Sequence, residues 1–184
     1  MANNIYNFHG GSTGHWEVIK MQTVTGEPLQ PVTHLRIHPA SSDTTEEHVW
    51  TLTGLISNLR YTEKQEKESL VGIQEDLGRA HATCAALIPL RKSEAWWLLA
   101  QDERRNIFEK QSEHTQTGLK YLPAIARKLY HCRDIGGPFD FLTWFEYAPA
   151  HAHAFEELVA RLRSTEEWSY VDREVDIRLS RVFL

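Results

Sequence analysis

The stretch FDFLTWFEYAPAHAHAFEELVARL, residues 139–162, predicts a strand followed by a helix. Phe139 to Tyr147 is rich in aromatic residues, which are enriched in strands. After a short connection, apolar residues recur at the spacing of a helix with one buried face, at Phe155, Leu158, Val159 and Leu162. Apolar and charged residues then alternate from Glu174 to Leu179, which indicates a last strand. This succession of strand, helix and strand is typical of an α+β fold.

The same succession is predicted in the first half of the chain. From Trp50 to Leu59 apolar residues alternate with threonine and serine, the period of a strand packed on one face. A helix is predicted between Glu63 and Arg79, because its spacing places Leu70, Ile73, Gln74 and Leu77 on one face. A strand from Thr83 to Leu90 follows. An earlier strand is predicted from His15 to Val24, after a polar and flexible N-terminus.

Three further features of the sequence complete the second half. The nearly all-apolar run from Ala95 to Ala100 predicts a short strand covered on both faces. Asp102 is expected to cap a helix that runs to about Thr117 and ends at Gly118. Pro123 is expected to open another helix that runs to about Tyr130.

Two strand, helix and strand units in tandem suggest two ferredoxin-like halves, at about residues 15–92 and 93–184, whose sheets pack or close together. Such an α+β architecture places helices outside the sheet and leaves room for a pocket between them. Sequence identity between the halves is weak. A single α+β domain without internal symmetry therefore remains the alternative.

The composition limits the function and location of the chain. With 184 residues and 21.3 kDa the chain is long enough for one domain with a substantial core. A formal charge of −5 and the lack of a basic run argue against a nucleic-acid partner. No apolar run has the length of a membrane span or a secretory signal. The two cysteines, Cys84 and Cys132, lack zinc-like spacing, so a cytoplasmic location with idle thiols is expected.

Three side chains are candidates for chemistry. His114 lies on the inward stripe of its predicted helix, although a core histidine with one hydrogen bond is the more frequent explanation of that pattern. Arg127 lies off the apolar stripe of its predicted helix, so a solvated surface arginine is the default interpretation. Gln74 falls among apolar residues, and a buried amide must find partners, which nearby backbone could supply. His151 and His153 are predicted to begin a helix, where residues two apart diverge, which disfavours a metal site.

Five segments together resemble the chlorite dismutase family, in particular its short-chain lineage. They are Trp96-Trp97, S-E-H-T at 112–115, Y-L-P-A-I-A-R at 121–127, F-L-T-W-F-E at 141–146, and Glu166-Glu167-Trp168. The similarity runs from about Trp50 to the C-terminus. None of the segments is specific alone, whereas a histidine, an arginine after an L-P turn and a late glutamate form a more specific combination.

The resemblance implies a subunit of the dimeric α+β barrel type, made of two ferredoxin-like halves, with haem b between sheet and helices. It implies His114 as the axial ligand of the iron and Glu167 as the acceptor for its other ring nitrogen. Lys92 would belong to the same proximal network. Trp97 would pack on the haem edge, with an ordinary core aromatic as the alternative. The expected assembly is a homodimer.

On the distal side the resemblance implies Arg127 as the charged residue above the iron, with Gln74 near enough to orient it. Ferric haem would take an oxygen atom from chlorite, leaving a ferryl species and a hypochlorite-like fragment. The guanidinium would hold that fragment until it recombines to give chloride and dioxygen.

Three alternatives remain open. Coproheme decarboxylases share the fold but usually lack the distal arginine and have longer chains. A haem-binding module without turnover would need only His114. A protein without cofactor would use the same histidine as a core residue.

Overall fold

The computed structural model describes residues 4–42, 47–56, 76–121 and 123–183. Eight strands in these residues close into a barrel in which every hydrogen-bonded pair is antiparallel. Along the chain they are β1 (Ile5–Gly11), β2 (Trp16–Thr25), β3 (His34–Pro39), β4 (Trp50–Ile56), β5 (Cys84–Lys92), β6 (Ile125–His131), β7 (Phe141–Tyr147) and β8 (Val171–Arg181). Their order around the barrel is β1-β3-β2-β8-β5-β7-β6-β4.

In the part of the chain that the structure describes, α-helices lie in two of the connections between strands. Between β5 and β6 lie α1 (Glu94–Leu98), α2 (Gln101–Arg105), a π-helical turn (Asn106–Gln111) and α3 (His114–Leu119). Between β7 and β8 lie a 3₁₀ turn (Pro149–His151), α4 (Ala152–Arg163) and a second 3₁₀ turn (Glu166–Tyr170), and another 3₁₀ turn (Arg133–Ile135) precedes β7. This mixed architecture confirms the predicted combination of a sheet with helices. Within the described ranges, no helix is long and apolar enough to cross a lipid bilayer.

Alternation along the strands gives the sheet two apolar faces. On β7, Leu142 and Trp144 belong to the cluster that fills the barrel, together with Tyr130 of β6. Phe145 points the other way and packs edge to face against Phe155 of α4, with 5.1 Å between ring centroids. The barrel interior is therefore filled by side chains, and the outer face of β5, β6 and β7 is the surface on which a site can form.

The strand predicted from Ala95 to Ala100 is wrong, because helix α1 occupies this part of the chain. Ser93 at the N-cap position and Glu94 in the first turn are typical of a helix start. Burial is also one-sided, since Trp96 is 4% exposed and Leu98 is 79% exposed. The apolar run is not covered on both faces, which was the premise of the prediction.

The helix predicted from Pro123 to Tyr130 is also wrong, because β6 begins at Ile125 and pairs with β7 along its whole length. Ile125 packs on the outer face of the sheet and Tyr130 inside the barrel. A short segment with few apolar residues fits either period. The hydrogen-bond partners that β7 offers decide in favour of the strand.

The continuous helix predicted from Asp102 to Thr117 is wrong in its continuity. Glu113 has a φ of 46°, in the left-handed region that a helix cannot pass through, and α3 restarts at His114. Gly118, expected to end the helix, lies inside α3 instead.

The other predicted strands are confirmed as β2, β4, β5, β7 and β8, apart from residues 57–59, which lie outside the described residues. The prediction of a flexible N-terminus is wrong for residues 5–11, which form β1. This strand pairs with β3 on one side and with β4 on the other, and its Phe8 is completely buried. Most of the predicted helix from Glu63 to Arg79, including Gln74, lies outside the described residues.

Candidate active site

The break before α3 brings two distant segments together. Glu113 holds a left-handed backbone conformation, uncommon for a residue with a side chain and of the kind found at functional sites. Next to it, the buried Ser112 accepts a hydrogen bond of 3.0 Å at its hydroxyl from the backbone N–H of Glu167. The start of α3 is thereby fixed against the 3₁₀ turn that precedes β8, and His114 faces Glu167.

A histidine, a carboxylate and a lysine form one chain of contacts at this place. His114 Nδ1 lies 2.8 Å from Glu167 Oε2. The other carboxylate oxygen, Oε1, accepts a 2.8 Å hydrogen bond from Lys92 Nζ, which also donates to the Glu167 carbonyl at 3.2 Å. Lys92 and Glu167 are buried, whereas the His114 side chain is 18% exposed. The imidazole is therefore the member of the trio that a ligand can reach.

The charges of the trio fix the orientation of the histidine. Burial acts to raise the pKa of Glu167, but His114 and Lys92 outweigh it and hold that pKa at about 2. Burial lowers the pKa of Lys92, against the pull of the Glu167 charge. Because Glu167 Oε2 can only accept, the contact requires a proton on His114 Nδ1, and in a neutral imidazole with that proton the lone pair lies on Nε2.

The surroundings of His114 fit a metal ligand. Its ring stacks on Phe108, with 4.3 Å between centroids, and lies 6.5 Å from the ring of Trp168 in a nearly parallel plane. Among the described residues, none forms a hydrogen bond with Nε2. An imidazole that donates its other N–H to a carboxylate is the usual arrangement of a metal-binding histidine.

Arg127 lies on the outer face of β6, opposite Phe145 of β7 and on the same face as Ile125. Its guanidinium lies against Gly118 of α3, one helical turn after His114. Burial lowers the pKa of Arg127, and the charge of Glu109 opposes that shift. The side chain interpreted from the sequence as a solvated surface group is therefore held against the same short helix that begins with His114.

Trp97 lies on the same outer face, further along the sheet. Its indole stacks on Phe141, with 6.2 Å between centroids, and Arg133 lies over the ring at 4.0 Å. The indole N–H donates to Asp140 Oδ2 at 3.1 Å, and the same oxygen accepts the backbone N–H of Lys92 at 2.7 Å. The buried Asp140 thus connects Trp97 to the lysine that neutralises Glu167.

The structure brings together four of the six candidates: His114, Glu167 and Lys92 directly, and Trp97 through Asp140. The fifth candidate, Arg127, lies against Gly118 of α3, and the sixth, Gln74, lies outside the described residues. Sequence reasoning missed Asp140 and Ser112, although a lone aspartate between Phe139 and Phe141 was a usable signal. In the described part of the chain no three His, Cys, Asp or Glu side chains converge as a metal site, at His151 and His153 or elsewhere.

Comparisons with known proteins agree with one another. A family model described as chlorite dismutase matches residues 20–183. A solved structure of a dimeric chlorite dismutase from Nitrobacter winogradskyi is 58% identical, with a TM-score of 0.91, over 96% of this chain and 99% of that one. The chlorite dismutase of Ideonella dechloratans is 31% identical over 136 residues, and the match spans 70% of this chain but 42% of that protein. A mutant chlorite dismutase from Candidatus Nitrospira defluvii has a TM-score of 0.71 at 21% identity, over 99% of this chain and 93% of that one, which shows a shared fold alone.

Proposed function

This chain belongs to the chlorite dismutase family, and from that premise we propose that it is an enzyme that converts chlorite to chloride and dioxygen, with haem b as its cofactor. The observation that carries the proposal is the trio of His114, Glu167 and Lys92, which leaves one imidazole nitrogen free to bind iron. The 58% identical relative from Nitrobacter winogradskyi, with a chain of nearly the same extent, supports the same activity.

His114 would hold the haem iron through Nε2. Bound at this place, haem b would supply an iron that can accept one oxygen atom from chlorite, so that both Cl–O bonds break, the two oxygen atoms join as dioxygen and the chlorine leaves as chloride. The ionised Glu167 increases the electron donation of the imidazole by accepting its Nδ1 proton in a short hydrogen bond. Lys92 balances the carboxylate charge inside the protein, so that Glu167 stays ionised.

Arg127 would act on the anion by charge. One chlorite ion gives one chloride ion and one dioxygen molecule, so atoms and charge balance without a proton or an external electron. The site therefore needs no general acid, and a guanidinium that stays protonated suits it. In a chain with a formal charge of −5, Arg127 supplies the local attraction for chlorite and retains the hypochlorite-like fragment.

Two further residues are assigned by the resemblance. Trp97 would pack against the edge of the haem, on the outer face of the sheet that also carries Arg127. Gln74 would orient the Arg127 guanidinium.

The assembly and location form part of the proposal. We propose a homodimer, which the dimeric relative supports, and two ferredoxin-like halves within each subunit. In the observed strand order these proposed halves would interleave, since β8 lies between β2 and β5. A cytoplasmic location fits Cys84 and Cys132, which are both unpaired thiols.

The experiment is to load the purified protein with haem b, add chlorite and record dioxygen with an oxygen electrode. We expect one dioxygen for each chlorite consumed. Arg127→Ala should lose most of the oxygen evolution, whereas Lys120→Ala, which removes a cation just after the end of α3, should retain it. Decarboxylation of coproheme with peroxide, in the absence of oxygen evolution by the wild type, would instead support the decarboxylase. An unchanged Arg127→Ala variant would refute the role of the guanidinium.

A further inference from the structure

Gly118 lies directly under the guanidinium of Arg127. A Cβ atom built on Gly118 would lie 2.9 Å from Nη1, 3.2 Å from Cζ and 3.3 Å from Nη2 of that side chain. These three atoms are the nearest that the Cβ would meet. Such similar distances mean that the flat face of the guanidinium rests on the glycine.

The backbone does not explain a glycine at this position. Gly118 lies inside the right-handed helix α3, and it is absent from the described glycines with positive φ, which are Gly26, Gly78 and Gly136. Glycine is also the poorest helix former after proline. An alanine would suit the helix better, so the reason for a glycine lies in the space above it.

We propose that Gly118 is a positioning residue for Arg127, and that its missing side chain sets where the guanidinium rests relative to His114. The inference rests on the proposed function only for its effect on chlorite, because the packing of the two residues is independent of any cofactor. His114 and Gly118 are four residues apart on α3 and therefore lie on one face of the helix. The same short helix thus carries both His114 and the glycine against which the guanidinium of Arg127 packs.

The residues around Gly118 support a defined position for the guanidinium of Arg127. The π-helical turn before α3 carries Glu109, whose charge acts on Arg127 and partly offsets the burial of the guanidinium. A guanidinium pushed away from α3 would change both its burial and its distance from Glu109. The displaced guanidinium would then bind an anion less well at the position that it faces in the wild type.

The variant that tests the inference is Gly118→Ala. The added methyl group meets the end of a flexible side chain, so the fold should persist while the guanidinium moves. A crystal structure of the variant without cofactor should show Nη1 displaced from 2.9 Å to an ordinary contact of at least 3.4 Å from the new Cβ. Gln116→Ala, at an exposed position of the same helix, is the matched control and should leave Arg127 in place.

Thermal unfolding of the protein without cofactor gives a second readout. In the wild type, the gain in helix propensity from Gly118→Ala is opposed by the crowding of Arg127. In an Arg127→Ala background the guanidinium no longer crowds the new methyl group, so the same substitution should raise the midpoint by more. Equal effects in both backgrounds would overturn the inference.

Oxygen evolution gives the functional readout. The number of chlorite ions converted before the haem bleaches should fall on the order of tenfold or more in Gly118→Ala and stay unchanged in Gln116→Ala. If the wild type evolves no dioxygen, the proposed function is wrong. The displacement of Arg127 in the crystal structure and the thermal unfolding midpoints of the single and double variants then still test the positioning role of Gly118. An unmoved guanidinium, or turnover equal to that of Gln116→Ala, would refute the positioning role.

Discussion

The Nδ1 atom of His114 and the Oε2 atom of Glu167 lie 2.8 Å apart, although 53 positions separate these residues in the chain. They meet because the left-handed Glu113 starts a new helix at His114, and because Ser112 binds the backbone of Glu167. The contact therefore depends on backbone geometry at both ends. Lys92 completes it with a buried positive charge.

Glu167→Gln should strongly destabilise the protein. The substitution removes the carboxylate charge that accepts a hydrogen bond from the ammonium of Lys92, a residue that is only 4% exposed. Removal of one partner from a buried ion pair reduces the free energy of unfolding by about 3–5 kcal/mol. Urea unfolding measures the loss, and Glu166→Gln, at the exposed neighbouring position, is the control that should stay close to the wild type.

The double variant Glu167→Gln with Lys92→Met separates charge from packing. It removes the uncompensated ammonium and keeps an unbranched side chain of similar length, so it should regain much of the lost stability. A double variant as unstable as Glu167→Gln would contradict this electrostatic explanation.

Acid should weaken the fold through Glu167. The pKa of this carboxyl is about 2 in the folded protein, against an ordinary value of 4.5 for a glutamate exposed to water. Below about pH 4.5 the unfolded chain binds a proton that the folded chain does not bind until about pH 2, so the free energy of unfolding falls as the pH falls through this window. The loss attributable to this group amounts to about 3 kcal/mol.

Urea unfolding at about pH 5 and at about pH 3 measures this dependence. The decrease should be smaller in Glu167→Gln, because the amide does not titrate. Equal decreases in wild type and variant would assign the acid sensitivity to other carboxylates.

Glu174→Gln should loosen Trp168, the neighbour of Glu167. The Glu174 side chain is fully buried and accepts the indole N–H of Trp168 at 2.8 Å and two bonds from Arg163, at 2.6 and 2.9 Å. Weakening these charge-assisted bonds should reduce the free energy of unfolding by about 1.5–3 kcal/mol and change the near-ultraviolet circular dichroism of the tryptophans. Glu157→Gln, which removes the exposed pair with Arg161, should alter neither signal.

Asp140→Asn should show that the bridge between Trp97 and Lys92 is structural. Asp140 is buried, and its Oδ2 atom accepts from both residues, so the neutral amide should weaken two bonds and lower the free energy of unfolding by about 1–3 kcal/mol. Asp172→Asn breaks the exposed pair with Arg91 and should change it by less than about 1 kcal/mol. Similar losses in the free energy of unfolding in the two variants would refute a structural role for the contacts of Asp140 with Trp97 and Lys92.

Periodicity predicted the elements whose pattern was long and one-sided. The four apolar positions of α4, from Phe155 to Leu162, are all buried against the sheet, and the alternation in β8 places Val175 and Ile177 inside the barrel. The two elements whose type was predicted wrongly, α1 and β6, are short. In such segments the sequence carries too few turns or alternations to decide between periods, and tertiary contacts decide instead.

The sequence predicted which residues belong to the candidate site, but it did not predict how the backbone positions them. An inward His114 followed from helix spacing, even though the helix breaks just before it. Arg127 was assigned to the solvent side of a helix that does not exist, because the partners that make its segment a strand lie further along the chain in β7. Glu113 gave no sequence signal for its left-handed conformation, since glycine or asparagine is the usual residue there.

The position of β8 has a consequence for how the protein is made. This strand pairs with β2 on one side and with β5 on the other, and its register joins Trp16 to Arg181. During synthesis the sheet therefore stays open at two edges until residue 181 has emerged from the ribosome. Open edges recruit other strands, so the nascent chain should depend on chaperones late in translation and should fold slowly once released.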